Sequence, residues 1–90
     1  MLAAALLASA PAHGQKRVDL AAFKCKEFLV SKKETVGLIL MWLEGYYSEA
    51  DASPIVDFEK MRDDDNKLTA YCGKNPGASL IVAAEEVMGK

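Results

Sequence analysis

The sequence predicts an all-α protein, a small single-domain bundle of about four short helices held by one disulfide. Three observations lead to this prediction. Apolar residues recur at helical spacing in several segments after about residue 20. Short polar stretches with Gly, Asn or Pro separate these segments. The chain has 90 residues and only two cysteines, Cys25 and Cys72, which lie far apart in the sequence.

Residues 1–14 are predicted to be a secretory signal peptide, and residues 15–90 the mature helical domain. The first segment is an apolar run of Leu and Ala followed by small residues, with cleavage expected before Gln15. The run is too short to span a bilayer. The alternative is an apolar N-terminal helix of the fold, which the Ala-rich composition ending at Pro11 suits poorly.

The first helix is predicted over about Leu20–Leu29, where Phe23, Cys25 and Phe28 supply apolar groups. The next residues, Ser31 to Glu34, have the spacing of a capping box. We therefore expect Ser31 to be the N-cap of a second helix, with Glu34 at its N3 position.

The second helix, predicted to end at about Tyr47, is apolar on almost every side. One side follows the i, i+3, i+4, i+7 spacing with Val36, Ile39, Leu40, Leu43 and Tyr47. The opposite side is filled by Leu38, Met41 and Trp42. A helix of this kind lies in the centre of a core or at a subunit interface. Gly37 and Gly45 within it suggest sites of close helix packing; the alternative for Gly45 is the beginning of the helix end.

Two more helices are predicted after a polar turn at 48–54. The third runs from about Asp57 to Cys72, with Asp65 interrupting its apolar side. The sequence Asn75-Pro76-Gly77 breaks the chain, because proline and glycine end helices. The last helix is predicted over about Ala78–Met88.

The two cysteines most simply form one disulfide between the first and third helices. A mature chain of about 76 residues has a marginal core, and an exported protein meets an oxidising compartment. A loop of this length is worth about 4 kcal/mol in the chain-entropy model. The alternative is two buried free thiols. Metal ligation is disfavoured because the cysteines lack close ligand partners.

The residue inventory argues against catalysis. The only histidine, His13, falls in the predicted signal peptide, which removes histidine bases and most catalytic zinc sites from the mature chain. Asp63 to Asn66 do not have the spacing of a calcium-binding EF-hand loop, and Glu85-Glu86 fits a solvated pair. We therefore predict no enzyme activity, no cofactor and no metal site.

The charge balance limits the partners. The formal net charge is −2 at pH 7, which provides no strong field to attract nucleic acid or an anionic membrane. Near pH 2 most carboxylates are protonated and the charge rises to about +11. Two classes remain: a chaperone that binds unfolded proteins, and a periplasmic inhibitor or immunity-type protein that binds one folded partner.

Four segments carry a resemblance to a known family: FKCKEFL (Phe23–Leu29), WLEGYYS (Trp42–Ser48), VDFEKMRDDDNKL (Val56–Leu68) and AYCGKNP (Ala70–Pro76). Together they resemble the HdeA/HdeB family of periplasmic acid-stress chaperones, over about Phe23 to Val87. The resemblance implies a helical protein with one disulfide, here Cys25–Cys72. It also implies a homodimer near neutral pH that strong acid loosens. Apolar surface exposed in acid would then keep acid-denatured periplasmic proteins soluble.

The client and dimer surface is assigned by apolarity alone to Val36, Leu38, Ile39, Leu40, Met41, Trp42 and Leu43. For Met41 and Trp42 the alternative is a place in the core. The acid trigger is expected to be collective protonation of carboxylates. The candidates are Asp57, Glu59, Asp63, Asp64 and Asp65.

The C-terminus departs from the best-known type of the family, which has a lysine-rich end. Only Lys90 follows Lys74, and Glu85 and Glu86 make the last helix acidic. This end is closer to the second family type, whose members act at less extreme acidity.

Overall fold

The computed structural model describes residues 17–89, which form four helices: α1 (Cys25–Leu29), α2 (Lys33–Tyr46), α3 (Phe58–Lys74) and α4 (Leu80–Met88). Within this range there is no named strand, and one antiparallel bridge pairs Lys24 with Ser79. The predicted all-α fold is confirmed. The predicted signal peptide, its cleavage site before Gln15 and His13 lie outside the described residues.

The first helix is shorter than predicted, because the residues before Cys25 serve another helix. Leu20 to Phe23 form a turn, in which the N–H groups of Ala22 and Phe23 both donate to the Asp19 carbonyl at 2.9 Å. The carbonyls of Leu20 and Phe23 accept hydrogen bonds from the first N–H groups of α4, those of Ile81 and Leu80. This segment therefore caps α4, because the first N–H groups of a helix have no partners within it.

The predicted N-cap of the second helix is wrong. The helix begins at Lys33 and its N-cap is Lys32. The Ser31 hydroxyl donates to the Glu27 carbonyl at 2.8 Å. The Ser31 side chain therefore gives a hydrogen-bond partner to a carbonyl at the C-terminal end of α1 and does not cap α2.

The long helix α3 begins one residue after its cap and extends past the second cysteine. The Asp57 carboxylate accepts from the Lys60 N–H at 3.0 Å, as expected for an N-cap. The helix continues to Lys74 and ends where Asn75 donates through both its N–H and its side-chain amide to the Tyr71 carbonyl. Pro76 follows and cannot continue the helix.

The last helix starts two residues later than predicted, at Leu80. Its N-cap is Ser79, whose hydroxyl oxygen accepts from the Val82 N–H at 3.2 Å. The helix does not begin at Ala78, because the Ala78 carbonyl accepts from the Cys25 N–H at 2.8 Å. Ser79 pairs with Lys24 in the antiparallel bridge.

The core lies where all four helices meet around the disulfide Cys25–Cys72, whose Cα atoms are 4.9 Å apart. The predicted disulfide is confirmed, and no described cysteine is free. The buried apolar residues are Cys25, Phe28, Ile39, Leu40, Leu43, Leu68, Cys72, Leu80, Ala83 and Ala84. The acidic residue on the apolar side of α3 is Asp64, which is 5% exposed; Asp65, predicted for that position, is only half-buried.

The four helices are not attached to each other equally. The disulfide joins α1 to α3, and backbone hydrogen bonds join the start of α1 to the segment before α4. Helices α3 and α4 also pack on each other. Helix α2 packs mainly on α3, and the segment that follows it, residues 48–57, is exposed throughout.

Candidate functional site

Helix α2 presents apolar side chains to solvent as well as to the core. Four of them form what we call the outer face of α2. Their exposed fractions are 69% for Leu38, 49% for Met41, 52% for Trp42 and 58% for Tyr46. The rings of Trp42 and Tyr46 stack, with centroids 4.7 Å apart. A row of large apolar side chains on one helix face is typical of an interaction surface.

The structure divides the predicted client and dimer surface between two environments. Leu38, Met41 and Trp42 lie on the outer face. Ile39, Leu40 and Leu43 lie in the core, and Val36 is half-buried against it. We call Ile39, Leu40 and Leu43 the inner face of α2. A partner can reach the outer face directly, whereas the inner face is accessible only if α2 moves.

A groove of about 650 Å³ runs beside the outer face. It is lined by α2, by the segment 17–21 and by Ile81 of α4. Its α2 wall includes Leu38, Trp42 and Tyr46. The groove therefore extends the exposed apolar surface from the helix to the N-terminal segment.

A second groove, of about 720 Å³, lies between the end of α2, the segment 48–57 and the start of α3. Three methionines line it: Met41, Met61 and Met88. Methionine side chains adapt to partners of different shape. The neighbouring residues Ile55 and Phe58 are 75% and 73% exposed, so apolar surface continues beyond α2.

A charged cluster joins α2 to α3 at the edge of the second groove. The Lys60 ammonium lies 2.8 Å from Glu44 Oε1 and 2.9 Å from Asp64 Oδ2. We call these three residues the ion-pair cluster. Asp64 and Lys60 are one turn apart on α3, while Glu44 reaches across from α2. The second oxygen of Glu44, Oε2, is buried and has no hydrogen-bond partner.

The cluster shifts the acidities of its two carboxyl groups in opposite directions. Burial and the neighbouring Asp64 carboxyl raise the pKa of Glu44, and Lys60 opposes them. Burial alone would raise the pKa of Asp64, but the neighbouring Glu44 carboxyl and the Lys60 ammonium, together with the charge of Lys67, hold it below its usual range. As the pH falls, the first proton therefore goes mainly to Glu44.

A second polar contact attaches the end of α2 to α4. The hydroxyl of Tyr47, the C-cap residue of α2, donates to Glu85 Oε1 at 3.1 Å. Burial and the Glu85 carboxylate raise the pKa of Tyr47 to about 12. The hydroxyl is thus a donor throughout the neutral and acid range.

The structure separates the five predicted trigger carboxylates. Only Asp64 belongs to the ion-pair cluster. Asp57 caps α3, and the Asp65 carboxylate accepts from the Thr69 hydroxyl at 3.3 Å. Glu59 and Asp63 are exposed. Whether any of them sets the pH of activation stays a prediction.

The sequence patterns do not single out Glu44, and they predict Glu85 only as one half of a solvated pair. Glu44 follows Leu40 by one helical turn, so its position on the buried side of α2 was a signal. The contact of Glu85 with Tyr47 has no sequence signature, because the two residues lie 38 positions apart.

Residues 17–89 contain no group of three or more His, Cys, Asp or Glu side chains arranged to hold a metal ion. Within the same range, the helices are too short or too polar to cross a bilayer.

Comparison with known proteins gives one match. A family model described as the HdeA/HdeB family matches residues 1–82 of the chain. No curated protein matches the sequence. No solved structure matches it either.

Proposed function

The chain belongs to the HdeA/HdeB family, and we propose that it is a periplasmic acid-stress chaperone, which binds acid-denatured proteins through apolar surface and prevents their aggregation. The family is known for acid-stress chaperones of the periplasm. In this proposal residues 1–14 direct export and are removed, and the mature chain acts without catalysis or a cofactor.

The observation that carries the proposal is the outer face of α2. Leu38, Met41, Trp42 and Tyr46 expose apolar area in one row, and a groove of about 650 Å³ widens it. Near neutral pH we expect two copies of the chain to cover these faces in a homodimer. In acid the dimer separates and the faces become available to unfolded clients.

The charge of the chain supports the acid dependence. With eleven Lys and Arg against thirteen Asp and Glu, the chain is nearly neutral at pH 7 and strongly positive once the carboxylates are protonated. Two positive chains repel each other, which favours separation of the dimer. A positively charged chaperone also keeps its client complexes in solution.

The test is light scattering from an aggregation-prone periplasmic protein shifted to about pH 2 to 4, with and without the mature, oxidised chain. We expect the chain to suppress scattering in acid and to have little effect at pH 7. The double variant Leu38→Ser/Trp42→Ser should lose most of this suppression. The matched control is Val30→Ser/Val82→Ser, which removes two apolar side chains that are 83% and 50% exposed outside α2.

Scattering that stays unchanged across the acid range would contradict the chaperone function. The chain would then be assigned to the other class of binding protein, a periplasmic inhibitor or immunity-type protein, and its folded partner sought at neutral pH. Equal losses in the two double variants would show that the outer face is not the client surface.

A further inference from the structure

The second groove, between the end of α2, the segment 48–57 and the start of α3, combines an apolar lining with charge of one sign. Three methionines line it, and Ile55 and Val56 contribute apolar side chains from the exposed segment. Ile55 is 75% exposed and Val56 is 50% exposed. Large apolar side chains exposed beside a groove, with charged residues around them, are typical of a surface that a partner covers.

The charged residues around this groove are almost all acidic. From Glu44 to Glu59 the chain has no Lys or Arg and has five acidic residues: Glu44, Glu49, Asp51, Asp57 and Glu59. Glu44, Glu49 and Asp57 line the groove itself. All of the five except Glu44 are exposed, so their charges attract a cationic partner that approaches this side of the molecule.

Among the described residues, Lys60 is the one basic residue that lines the groove, and it does not balance this charge. Its ammonium lies 2.8 Å from Glu44 Oε1 and 2.9 Å from Asp64 Oδ2, so two carboxyl groups already share it. Within the described part of the chain, no basic side chain forms an ion pair with Glu49 or Asp57. The groove therefore offers negative charge without a partner next to exposed apolar surface.

We propose that the second groove binds a cationic, apolar segment of a partner protein at neutral pH. Lys or Arg side chains of the partner pair with Glu49 and Asp57, and its apolar side chains lie against Ile55 and the methionines, which adapt to their shape. Charge complementarity selects this occupant, because an acidic segment would meet like charge and a neutral one would leave the carboxylates without partners.

This site is separate from the proposed client surface. Of the four residues of the outer face, Met41 alone also lines the second groove. Binding takes place in the folded chain at pH 7 and does not rest on the proposed chaperone function. Light scattering in acid measures the chaperone function by itself, so each of the two proposals can fail without the other.

The experiment is fluorescence anisotropy of a short labelled peptide in which Lys and Leu alternate, titrated at pH 7 with the mature, oxidised chain. The comparison peptide has Glu in place of every Lys. We expect the cationic peptide to bind and the acidic peptide not to bind. Binding should weaken as the ionic strength rises from about 0.01 M to about 0.15 M, because salt screens exposed charges.

Two charge variants locate the site. Glu49→Gln/Asp57→Asn removes two charges from the groove, and α3 keeps its N-cap because asparagine caps a helix as well as aspartate does. We expect the cationic peptide to bind about tenfold more weakly to this variant. The control, Asp63→Asn/Glu86→Gln, removes the same number of charges from exposed positions that do not line the groove, and it should change the binding little.

The apolar part of the site is tested by Ile55→Ser. Its control is Val30→Ser, at an 83% exposed position that does not line the groove. We expect Ile55→Ser to weaken the binding of the cationic peptide by about fivefold, and Val30→Ser to leave it unchanged.

Absence of binding of the cationic peptide at low salt, or equal binding of the two peptides, would overturn the proposal. Equal losses in the two charge variants would also overturn it, since they would assign the binding to the total charge of the chain. Sedimentation of the chain without peptide identifies the remaining occupant. Self-association at pH 7 that Glu49→Gln/Asp57→Asn abolishes would assign the groove to a second copy of the chain and contradict a separate partner.

Discussion

Lys60 holds two carboxyl groups from two helices with a single ammonium group. When both carboxyl groups are ionised, the cluster has one negative charge too many, and Glu44 Oε2 is left buried without a donor. One added proton makes the cluster neutral. Because the two carboxyl groups interact, their titration belongs to the pair, and a second proton is required before Lys60 loses its anionic partner.

Tyr47 allows a prediction at high pH. Its raised pKa means that the folded chain keeps the phenol proton longer than the unfolded chain, whose tyrosines titrate at about 10. The stabilisation is therefore complete below about pH 10 and is lost as the pH rises to about 12. We expect Tyr47→Phe to remove a phenolate absorbance step near pH 12, measured at about 295 nm. A step that remains in this variant would show that another tyrosine is responsible.

The residues of the ion-pair cluster show what a sequence reveals about a site. Asp57 and Asp64 were both visible as acidic residues on a helix, but only the folded chain distinguishes a helix cap from a buried ion-pair partner. Glu44 lies 16 positions from Lys60, and nothing in either residue's neighbourhood specifies the other. Contacts between helices depend on packing, which the neighbourhood of either residue does not specify.

For helix α2, the sequence predicts apolar residues on every side, and the structure shows which of them are buried and which are exposed. Its all-round apolarity predicted either a core helix or an interface, and the structure gives it an inner face in the core and an exposed outer face. The periodicity separated the two sides of the helix but could not say which of them is buried, because Leu38 and Met41 are as apolar as Leu40 and Leu43. The separation required the position of α3.

The helix boundaries differ from the predictions for reasons of hydrogen bonding. Residues 20–23 have the composition of a helix but supply carbonyls to the start of α4. Ser31 has the composition of an N-cap but bonds backwards to α1. In both cases a polar group is used by a neighbouring segment, which a local pattern does not reveal.

Gly37 provides a prediction for α2. A Cβ added there would meet no atom within 4 Å, so the expected role in close helix packing within the chain is not supported. Gly37→Ala should therefore stabilise the helix by about 1 kcal/mol. For a domain of this size the melting temperature should rise by about 4 to 8 °C, measured by circular dichroism.

The control for Gly37→Ala is Gly89→Ala at the end of α4. There a Cβ would lie 2.5 Å from the Glu85 carbonyl oxygen, so this variant should not be stabilised. A lower melting temperature for Gly37→Ala would contradict the prediction and would indicate that a partner molecule packs against Gly37.

The whole molecule depends on its disulfide. Both cysteines are fully buried, and the bridge closes a sequence separation of 47 residues. We expect Cys25→Ser/Cys72→Ser to lose about 4 kcal/mol of unfolding free energy, which is much of the stability of a small domain. Urea denaturation at pH 7 measures this loss. An unchanged urea midpoint would show that packing alone supports the fold.

The bridge also closes residues 25–72 into a covalent ring, whatever state the helices are in. Even in a fully extended ring, Tyr46 stays within about 70 Å of Cys25 along the chain, and Leu38 within about 45 Å. Any segment of the ring that leaves the core therefore stays covalently tied to α1 and α3 within these lengths. Its return to the core is a search within one chain and does not compete with other chains in solution.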